Sequence, residues 1–341
     1  MKNLFAWLVV LSLVACADED ESPAVQFWQP DDFPPATYTF QNNPVTAPGF
    51  ELGRMLFYDP VFSRDSTVSC ANCHLQAVAF ADPAHKISVG INDRIGTRNA
   101  PPIFNLAFKS NFFWDGGVNH IDFIPINAIV NPNELDQDID VLISKLNKYN
   151  RYPQKFKDAF NKANIDSQQM LFALSQFMVM MVSANSRYDQ YVNGNKSVLA
   201  EQEIRGLALV ESKCTSCHTP PLFTNDGFAN NGLDTEFTDR GRAIITESEN
   251  DVGKFRVPTL RNVELTDPYM HDGRFRTLEQ VLTHYQQGVK DSPTLDPLLK
   301  QNETPGIVLS DTEKADIIAF LKTLTDRSFT QDKRFANPFL P

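Results

Sequence analysis

The stretch CANCH occupies residues 70–74, and the stretch CTSCH occupies residues 214–218. In each stretch two thiols stand three positions apart, and a histidine directly follows the second thiol. Thiols at this spacing can add to the two vinyl groups of a haem, and the histidine can then bind the iron. Cysteine pairs with a nearby histidine also bind zinc, so zinc is the alternative. Two copies with the histidine in the same place favour two c-type haems, held by Cys70, Cys73, His74, Cys214, Cys217 and His218.

The N-terminus has the composition of an export signal. One lysine precedes an apolar run from Leu4 to Leu11, which is shorter than the roughly 20 residues that cross a bilayer. We expect residues 1–15 to be a lipoprotein signal peptide, with acylation of the Cys16 thiol after cleavage. A plain secretory signal, from which Cys16 would be lost, is the alternative. Residues 16–43 are rich in acidic residues and proline, which predicts a flexible tether.

Composition narrows the classes of function. The chain has 341 residues, 42 % of them apolar, and a formal net charge of −11. It has no basic runs, so nucleic-acid binding is excluded, because neutralising phosphates requires clustered Lys and Arg. Five cysteines divide into one predicted lipid site and two predicted haem pairs, which leaves no thiol for a disulfide.

The surroundings of the two motifs also repeat. Each motif follows a helical stretch that contains one glycine, Gly53 or Gly206, where another helix could cross closely. Downstream, a register without gaps aligns Pro101 with Pro258, Asn105 with Asn262, and residues 115–116 with residues 272–273. We therefore predict a mainly α protein with two cytochrome c-like haem domains related by internal duplication.

Turn residues at 193–195 interrupt the helical pattern and place the boundary between the two domains. The N-terminal haem domain is predicted to span residues 44–195, and the C-terminal haem domain residues 196–341. Ser310 and Glu313 form a capping-box pattern that predicts a last helix. That helix is expected to cross the helix that contains Gly206.

These motifs resemble those of the bacterial di-haem cytochrome c peroxidases and their MauG-like relatives. The resemblance covers about residues 49–324. Besides the two pentapeptides, it is carried by RNAP at 98–101, FWDGG at 113–117, NPNEL at 131–135, VPTLRN at 257–262 and DPYMHDGRF at 267–275.

The resemblance implies that the haem of His74 is the peroxide site. Ordinary peroxidases of this family cap that haem with a loop histidine, at a position that Ile91 occupies in this sequence. The substitution predicts an open iron that needs no prior reduction, as in the MauG-like branch, with His85 and His120 as alternative caps. Glu134 matches the family's distal glutamate, which moves a proton during peroxide cleavage. Without the motif, Glu134 would be interpreted as a helix-start carboxylate.

Trp114 resembles the tryptophan that passes oxidising equivalents between the haems. Outside its motif such an indole would be an ordinary core residue. In the repeat register Trp114 aligns with His271. The two halves therefore align in sequence but carry side chains of different chemistry at this position. A glutamine that the family places between this tryptophan and the glutamate is replaced by Ile124, which makes the predicted pocket more apolar.

The sixth ligand of the second haem is the methionine of ordinary peroxidases or the tyrosine of MauG-like proteins. Counting from His271 leads to Tyr285. A phenolate is a hard anionic donor that lowers the reduction potential and favours higher iron oxidation states. The adjacent His284 is the competing ligand, and Met270 is a weaker one. The methionines Met170, Met178 and Met181 lie on an apolar helix predicted over residues 166–184 and are expected to be core residues.

The family also holds a calcium ion between its haems. The matching oxygens would be the Asn99 side chain and the backbone carbonyls of Thr266 and Pro268, which suit a hard cation. Asn99 alone would be interpreted as a turn residue.

The sequence therefore predicts a hydrogen-peroxide-dependent oxidoreductase of the bacterial cell envelope, facing the periplasm or the cell surface. Its electrons would come from a small cytochrome c or cupredoxin, or from side chains of a partner protein. Contact with the membrane would be made only through the lipid anchor, and a homodimer is possible. The alternative is a di-haem electron carrier without catalysis, in which both irons would be closed.

Overall fold

The computed structural model describes residues 25–162, 164–301 and 303–340, and their regular structure is almost entirely helical. The predicted signal peptide and Cys16 lie outside the described residues. The prediction of a mainly α protein is confirmed. The α-helices are α1 Ala47–Tyr58, α2 Ile124–Val130, α3 Ile139–Lys148, α4 Tyr152–Phe160, α5 Ser167–Val179, α6 Arg187–Val192, α7 Glu201–Lys213, α8 Ala243–Thr246, α9 Leu278–Thr283, α10 Asp311–Thr323 and α11 Arg327–Thr330.

Shorter elements connect these helices. Two two-residue strands, β1 Phe228–Ala229 and β2 Phe255–Arg256, form an antiparallel pair in the C-terminal half. One π-helical turn, His284–Gly288, follows α9. The 3₁₀ turns are Pro60–Phe62, Cys70–Asn72, Gln76–Val78, Ile91–Asp93, Leu106–Phe108, Ile121–Phe123, Glu249–Asp251, Pro297–Leu299 and Lys333–Phe335. Across the described ranges, no helix is both long enough and apolar enough to cross a membrane.

Helices α1 and α5 cross in the N-terminal half at Gly53. A Cβ atom at Gly53 would lie 1.9 Å from the Ala173 carbonyl oxygen and 2.9 Å from the Phe177 Cβ. Only glycine permits this approach, because any side chain would overlap the backbone of α5. The helix that the sequence predicts before the first cysteine pair is therefore held against α5 at its glycine.

The C-terminal half contains a second crossing of the same kind, between α7 and α10. A Cβ at Gly206 would lie 1.9 Å from the Asp316 carbonyl oxygen and 2.8 Å from the Phe320 Cβ. The predicted capping box starts α10, because Ser310 Oγ accepts the Glu313 N–H at 3.2 Å and the Glu313 carboxylate accepts the Ser310 N–H at 2.7 Å. The predicted crossing of the last helix over the Gly206 helix is confirmed.

Two clusters of buried apolar residues fill the interior. The first takes most of its members from residues 33–181 and includes Met170, Met178 and Met181, which are core residues as predicted. The second extends from Tyr188 to Leu324. The change of cluster occurs between Met181 and Tyr188, a few residues before the predicted boundary at 195/196. The C-terminal half also contributes to the first cluster, since Leu222, Phe329 and Phe335 pack into it.

The described part of the predicted tether, residues 25–43, is packed rather than free. Phe33 and Tyr38 are buried in the first cluster. Thr37 donates its backbone N–H to the Ala107 carbonyl at 2.8 Å, and Asn43 donates its side-chain amide to the Tyr38 hydroxyl at 2.9 Å. The acidic residues and prolines predict a flexible segment, but the aromatic residues among them pack into the core. Those aromatic residues have no regular spacing, and their partners are far away in the sequence, so the packing has no local signal.

Candidate haem and peroxide site

The first cysteine pair lies on a tight turn that presents His74. Cys70 begins a 3₁₀ turn, and the His74 N–H returns to the Cys70 carbonyl at 3.0 Å. Asn72 stabilises the start of the turn, since its Oδ1 accepts the Ser69 N–H at 2.8 Å. The imidazole is oriented by a contact of 3.0 Å between its Nδ1 and the Phe80 carbonyl. Burial lowers the pKa of His74, so its ring is neutral and its Nε2 is left for another partner.

The second pair repeats this arrangement at the end of α7. The His218 N–H bonds the Cys214 carbonyl at 2.8 Å. His218 Nδ1 lies 3.2 Å from the Phe223 carbonyl and 3.1 Å from the Pro258 carbonyl. Burial lowers the pKa of His218 as well. Both histidines therefore direct Nδ1 toward backbone oxygen, which is the support that iron-ligating histidines ordinarily receive.

These residues fit covalently attached haem. Cys70, Cys73, Cys214 and Cys217 are all free thiols, so each remains available for a thioether bond. Burial favours the neutral form of each histidine, and neither Nε2 makes a hydrogen bond to a described residue, as suits an iron ligand. Within the described ranges, no group of three or more His, Cys, Asp or Glu side chains is placed to share one metal ion. The donor set therefore suits a haem better than zinc, which takes four such ligands.

Ile91 lies beside the first motif and against the segment that carries Glu134. The Ile91 side chain is fully buried, and its backbone N–H donates to the Glu134 carbonyl at 2.9 Å. A Cβ at Gly90 would lie 2.4 Å from the Glu134 Cα, so the two segments touch at backbone distance. The Val89 carbonyl lies 3.8 Å from Cys73 Sγ. The loop therefore brings an aliphatic side chain, rather than a ligand, to the neighbourhood of the first cysteine pair.

Glu134 is held in a turn after α2, not at a helix start. Its Oε1 accepts a hydrogen bond from Asn131 Nδ2 at 2.9 Å, and Oε2 has no hydrogen bond to a described residue. Burial raises the pKa of Glu134, and the Asn131 hydrogen bond partly offsets this. Its charge in turn contributes to the raised pKa of the Cys70 and Cys73 thiols, which burial mainly causes. Glu134 is therefore close enough to the first motif to act on it electrostatically.

The two alternative caps are engaged elsewhere. His85 Nδ1 lies 3.0 Å from an oxygen of Asp82, and its side chain is 46 % exposed. His120 Nδ1 accepts the Asp122 N–H at 3.3 Å, and its side chain is 42 % exposed. Ile124, which replaces a family glutamine, begins α2 and packs against the first apolar cluster.

Trp114 lies where the two halves meet. Its Nε1–H donates to the Asn99 carbonyl at 2.9 Å, and its own carbonyl accepts the Arg256 N–H at 2.7 Å. The Asn99 N–H reaches across to the His271 carbonyl at 2.8 Å. Trp114 is 9 % exposed, its indole is held by the Nε1–H bond to the N-terminal half, and its backbone is held by Arg256 of the C-terminal half.

The π-helical turn after α9 positions Tyr285 near the second cysteine pair. Burial raises the pKa of Tyr285 to about 12, a hydrogen bond with Asn231 opposes the rise, and Cys217 and Cys214 add to it. His284 Nε2 instead lies 3.0 Å from the Asn231 carbonyl. Met270 Sδ accepts from Asn231 Nδ2 at 3.3 Å. Single π turns often mark functional positions, and this one places the phenol, not the imidazole, toward the cysteines.

The three predicted calcium ligands lie on two segments that touch. The Asn99 amide donates to the Lys86 carbonyl at 3.3 Å, and the Asn99 backbone N–H donates to the His271 carbonyl at 2.8 Å, which joins it to the segment that contains Thr266 and Pro268. The peptide bond between Asp267 and Pro268 is cis. An amide oxygen and two backbone carbonyls are donors of the type calcium takes.

Sequence reasoning missed the residues that orient this site. Asn231 contacts all three candidate ligands of the second haem, but it is more than 50 positions away from His284 and has no local signal. Asn131 was visible within NPNEL, where an amide three residues before a carboxylate was the available clue. Arg256, which holds the Trp114 carbonyl, also follows from tertiary structure only.

Comparisons with known proteins identify the family of this chain. Residues 47–197 match the family model described as di-haem cytochrome c peroxidase. The methylamine utilization protein MauG of Methylorubrum extorquens is 33 % identical over 287 residues, which cover 83 % of this chain and 79 % of that protein. Cytochrome c551 peroxidase of Nitrosomonas europaea is 31 % identical over 87 % of this chain and 85 % of that protein.

A solved structure adds the fold. A MauG-like protein associated with microbial copper homeostasis superposes with a TM-score of 0.84 and 31 % identity, over 92 % of this chain and 99 % of that one. The chain therefore belongs to the di-haem cytochrome c peroxidase and MauG family and is a peroxide-dependent oxidoreductase with two c-type haems.

Proposed function

We propose that this chain reduces hydrogen peroxide at the haem of Cys70, Cys73 and His74 in a site that is open at rest. The observation that carries the proposal is the buried Ile91, whose N–H bonds the Glu134 carbonyl at 2.9 Å. An aliphatic side chain cannot bind iron, and it fills the loop position that a capping ligand would need. Peroxide would therefore meet the iron beside Glu134 without a preceding conformational change.

Glu134 is the proton carrier of this proposal. Reduction of one peroxide to two waters consumes two electrons and two protons, and a haem bound here would supply the iron that accepts the oxidising equivalents. Glu134 Oε2, which has no hydrogen-bond partner among described residues, would take the proton from the near peroxide oxygen and give it to the departing one. Asn131 holds Oε1 at 2.9 Å and so directs Oε2 away from itself.

Trp114 is the proposed route for electrons between the halves. Its ring is buried, and its Nε1–H and carbonyl are bonded to Asn99 and Arg256. The first bond orients the ring and the second holds its backbone, so both restrict movement of Trp114. An indole fixed at such a junction is suited to one-electron relay.

Tyr285 is the proposed sixth ligand of the His218 haem. Its hydroxyl lies near Cys214 and Cys217, whereas the Nε2 of His284 is bound to Asn231. A phenolate would lower the reduction potential of this haem. The arrangement favours electrons drawn from side chains of a partner protein over a high-potential entry for a small cytochrome c or cupredoxin.

Paired contacts support the proposed internal duplication. The Asn99 N–H bond to the His271 carbonyl, at 2.8 Å, is matched in the repeat register by the Arg256 N–H bond to the Trp114 carbonyl, at 2.7 Å. Backbone angles agree as well. Positive φ values of 55° and 56° occur at Asn105 and Asn262, 63° and 74° at Phe113 and Met270, and 70° and 62° at Gly116 and Gly273.

The remaining proposals concern surroundings of the site. Calcium would be held by Asn99, Thr266 and Pro268, and its oxygen donors would stiffen the contact between halves. Lipidation at Cys16 would place the enzyme on the periplasmic or outer face of the bacterial envelope.

Reaction of the oxidised protein with peroxide tests the proposal. The holoprotein, matured in an export-competent host, is mixed with hydrogen peroxide in a stopped-flow spectrometer without any reductant. We expect an immediate change of the haem spectrum in the native protein and in the Ile91→Leu control, and a much slower one in Ile91→His, whose imidazole would cap the iron. An oxidised native protein that stays inert until reduced would instead indicate a carrier or a peroxidase that needs activation.

A further inference from the structure

Two buried cations lie together where the halves meet. Lys109 follows a 3₁₀ turn of the N-terminal half, and Arg256 is in β2 of the C-terminal half. Arg256 Nη1 lies 3.5 Å from Asp226 Oδ1, and both Arg256 and Asp226 are close enough to Lys109 to shift its pKa. Lys109 is 4 % exposed and Arg256 is 6 % exposed, and residues of either type are almost never this buried without full pairing.

Arg256 is only partly satisfied. Its backbone N–H binds the Trp114 carbonyl at 2.7 Å, and its Nε binds the Phe113 carbonyl at 3.0 Å. Its Nη1 is buried, lies 3.5 Å from Asp226 Oδ1, and makes no hydrogen bond, and that Oδ1 is also without a partner among described residues. The fork of the guanidinium thus has an unused donor directed into the cluster.

Lys109 also lacks a polar partner in the described part of the chain. Its ammonium makes no hydrogen bond to any residue in the described ranges, and its nearest recorded contact is the Phe104 ring, 5.9 Å from Nζ to centroid. Burial and repulsion from Arg256 lower the pKa of Lys109 to about 7, despite attraction to Asp226. Asp226 is already shared, since its Oδ2 accepts the N–H groups of Ser110 and Asn111 at 2.8 and 3.1 Å.

The cluster therefore lacks negative charge. Two basic side chains share one carboxylate that also accepts two backbone N–H groups, so the cluster has more donors than acceptors, and a buried charge left without a partner is strongly destabilising. An anion with oxygen acceptors would satisfy Lys109 Nζ and Arg256 Nη1 together, and carboxylates suit the planar fork of arginine.

Both C-terminal members of the cluster are close in sequence to residues that hold the second motif. Asn225, next to Asp226, donates its N–H to the Cys217 carbonyl at 2.8 Å. Pro258, two residues after Arg256, has its carbonyl 3.1 Å from His218 Nδ1. A haem attached to Cys214 and Cys217 brings two propionate carboxylates on the edge away from its thioether bonds.

We propose that Lys109 and Arg256 bind the propionate carboxylates of the haem that is attached to Cys214 and Cys217. The pair then has two effects. It raises the reduction potential of that haem, because nearby positive charge favours the reduced iron. It also joins the haem to Trp114, whose carbonyl Arg256 holds, so both are positioning residues for electron transfer. The inference rests on haem attachment at the second motif, and it does not depend on peroxide turnover.

The repeat register adds a second reason. Arg256 aligns with Asn99, and Lys109 aligns with Thr266, which are two of the proposed calcium ligands. Positions 99 and 266 are thus proposed to offer oxygen donors to a metal cation, whereas the aligned positions 256 and 109 carry basic side chains. Positive charge would be present at both positions, supplied by an ion at one and by side chains at the other.

Midpoint potentials of the matured holoprotein test this inference. The variants are Lys109→Met, Lys109→Arg and the control Lys148→Met, which removes the same charge from the exposed end of α3. Haem content is checked first, and both potentials are then measured by optical spectroelectrochemistry. We expect Lys109→Met to change the oxidised-to-reduced ratio of the His218 haem about tenfold at fixed potential, which is a fall of about 59 mV. Lys109→Arg and Lys148→Met should leave it within a small fraction of that.

Three results would overturn the inference. Unchanged potentials in a fully loaded Lys109→Met protein would show that no haem carboxylate contacts Lys109. A change of potential confined to the His74 haem would assign Lys109 and Arg256 to that haem instead. A native potential that follows added phosphate at constant ionic strength, and ceases to do so in Lys109→Met, would identify a free anion.

A structure of the native oxidised holoprotein decides the matter without any variant. We expect a propionate oxygen within about 3.2 Å of Lys109 Nζ or Arg256 Nη1. Only water or a free anion at both nitrogens would refute the assignment.

Discussion

Replacing Glu134 by glutamine removes the proposed proton carrier with little change of shape. The amide oxygen of the substituted side chain could still accept from Asn131 Nδ2, as Glu134 Oε1 does at 2.9 Å, so the turn should persist. The amide cannot take a proton at the position of Oε2. Loss of a general acid–base group costs typically 10²–10⁴-fold in rate, which is about 2.7–5.5 kcal/mol of activation free energy. We therefore expect the rate of reaction with peroxide to fall by about that factor.

Single-turnover mixing of the oxidised holoprotein with peroxide measures this directly, because it does not involve the electron donor. Glu236→Gln is the matched control, since Glu236 is exposed and makes no hydrogen bond to a described residue. Haem content and both resting spectra should be native in each variant. A Glu134→Gln protein that reacts within about threefold of the native rate would refute the assignment of the proton carrier, given the typical loss for such a group.

The pH dependence has a definite sign. Glu134 must be deprotonated to accept a proton, and burial raises its pKa above the ordinary value of 4.5. The rate should therefore rise with pH through a midpoint above 4.5, and Glu134→Gln should lack that rise. Asn131→Ala removes the hydrogen bond that favours the charged form, so the midpoint should move to higher pH. A midpoint that moves to lower pH would contradict this account.

Three further predictions concern ligation and stability. Tyr285→Met replaces a phenolate with a thioether, so the potential of the His218 haem should rise in spectroelectrochemistry, and an unchanged potential would exclude Tyr285 as its ligand. Arg261→Met breaks a buried ion pair with Asp189, whose contacts are 2.8 and 2.9 Å. Denaturant unfolding of the holoprotein should show that the free energy of unfolding falls by about 3–5 kcal/mol. A fall below about 1 kcal/mol would contradict the importance of this pair. Gly206→Ala forces α7 away from the Asp316 carbonyl, 1.9 Å from the added Cβ, and should lower the free energy of unfolding by about 1–3 kcal/mol, whereas a stabilised protein would contradict the close crossing.

Short local patterns in the sequence predicted several features of this structure. The two pentapeptides, the glycines at the two helix crossings and the capping box at Ser310 are patterns within a few residues, and each is present in the structure as a turn, a close approach or a cap. These features depend on neighbouring residues, so they can be recognised without knowledge of the tertiary structure.

Features set by distant partners could not be found in this way. The helix predicted to continue to residue 184 ends at Val179, since Asn105 binds the Ser183 N–H at 2.8 Å and draws the chain into an extended path. The packed aromatic residues before position 43, the π turn that presents Tyr285, and the contacts of Asn231 likewise depend on segments far away along the chain. Buried charge at Lys109 and Arg256 is invisible in a sequence whose overall charge is negative.

The spin state of the two irons tests the central claim most directly. An electron paramagnetic resonance spectrum of the fully oxidised, resting holoprotein distinguishes an open iron from a capped one. The account predicts one high-spin haem, open beside Ile91 and Glu134, and one low-spin haem, ligated by His218 and Tyr285. Two low-spin haems would contradict it, because a residue such as His85 or His120 would then close the first iron and leave an electron carrier or an enzyme that must be reduced before it reacts.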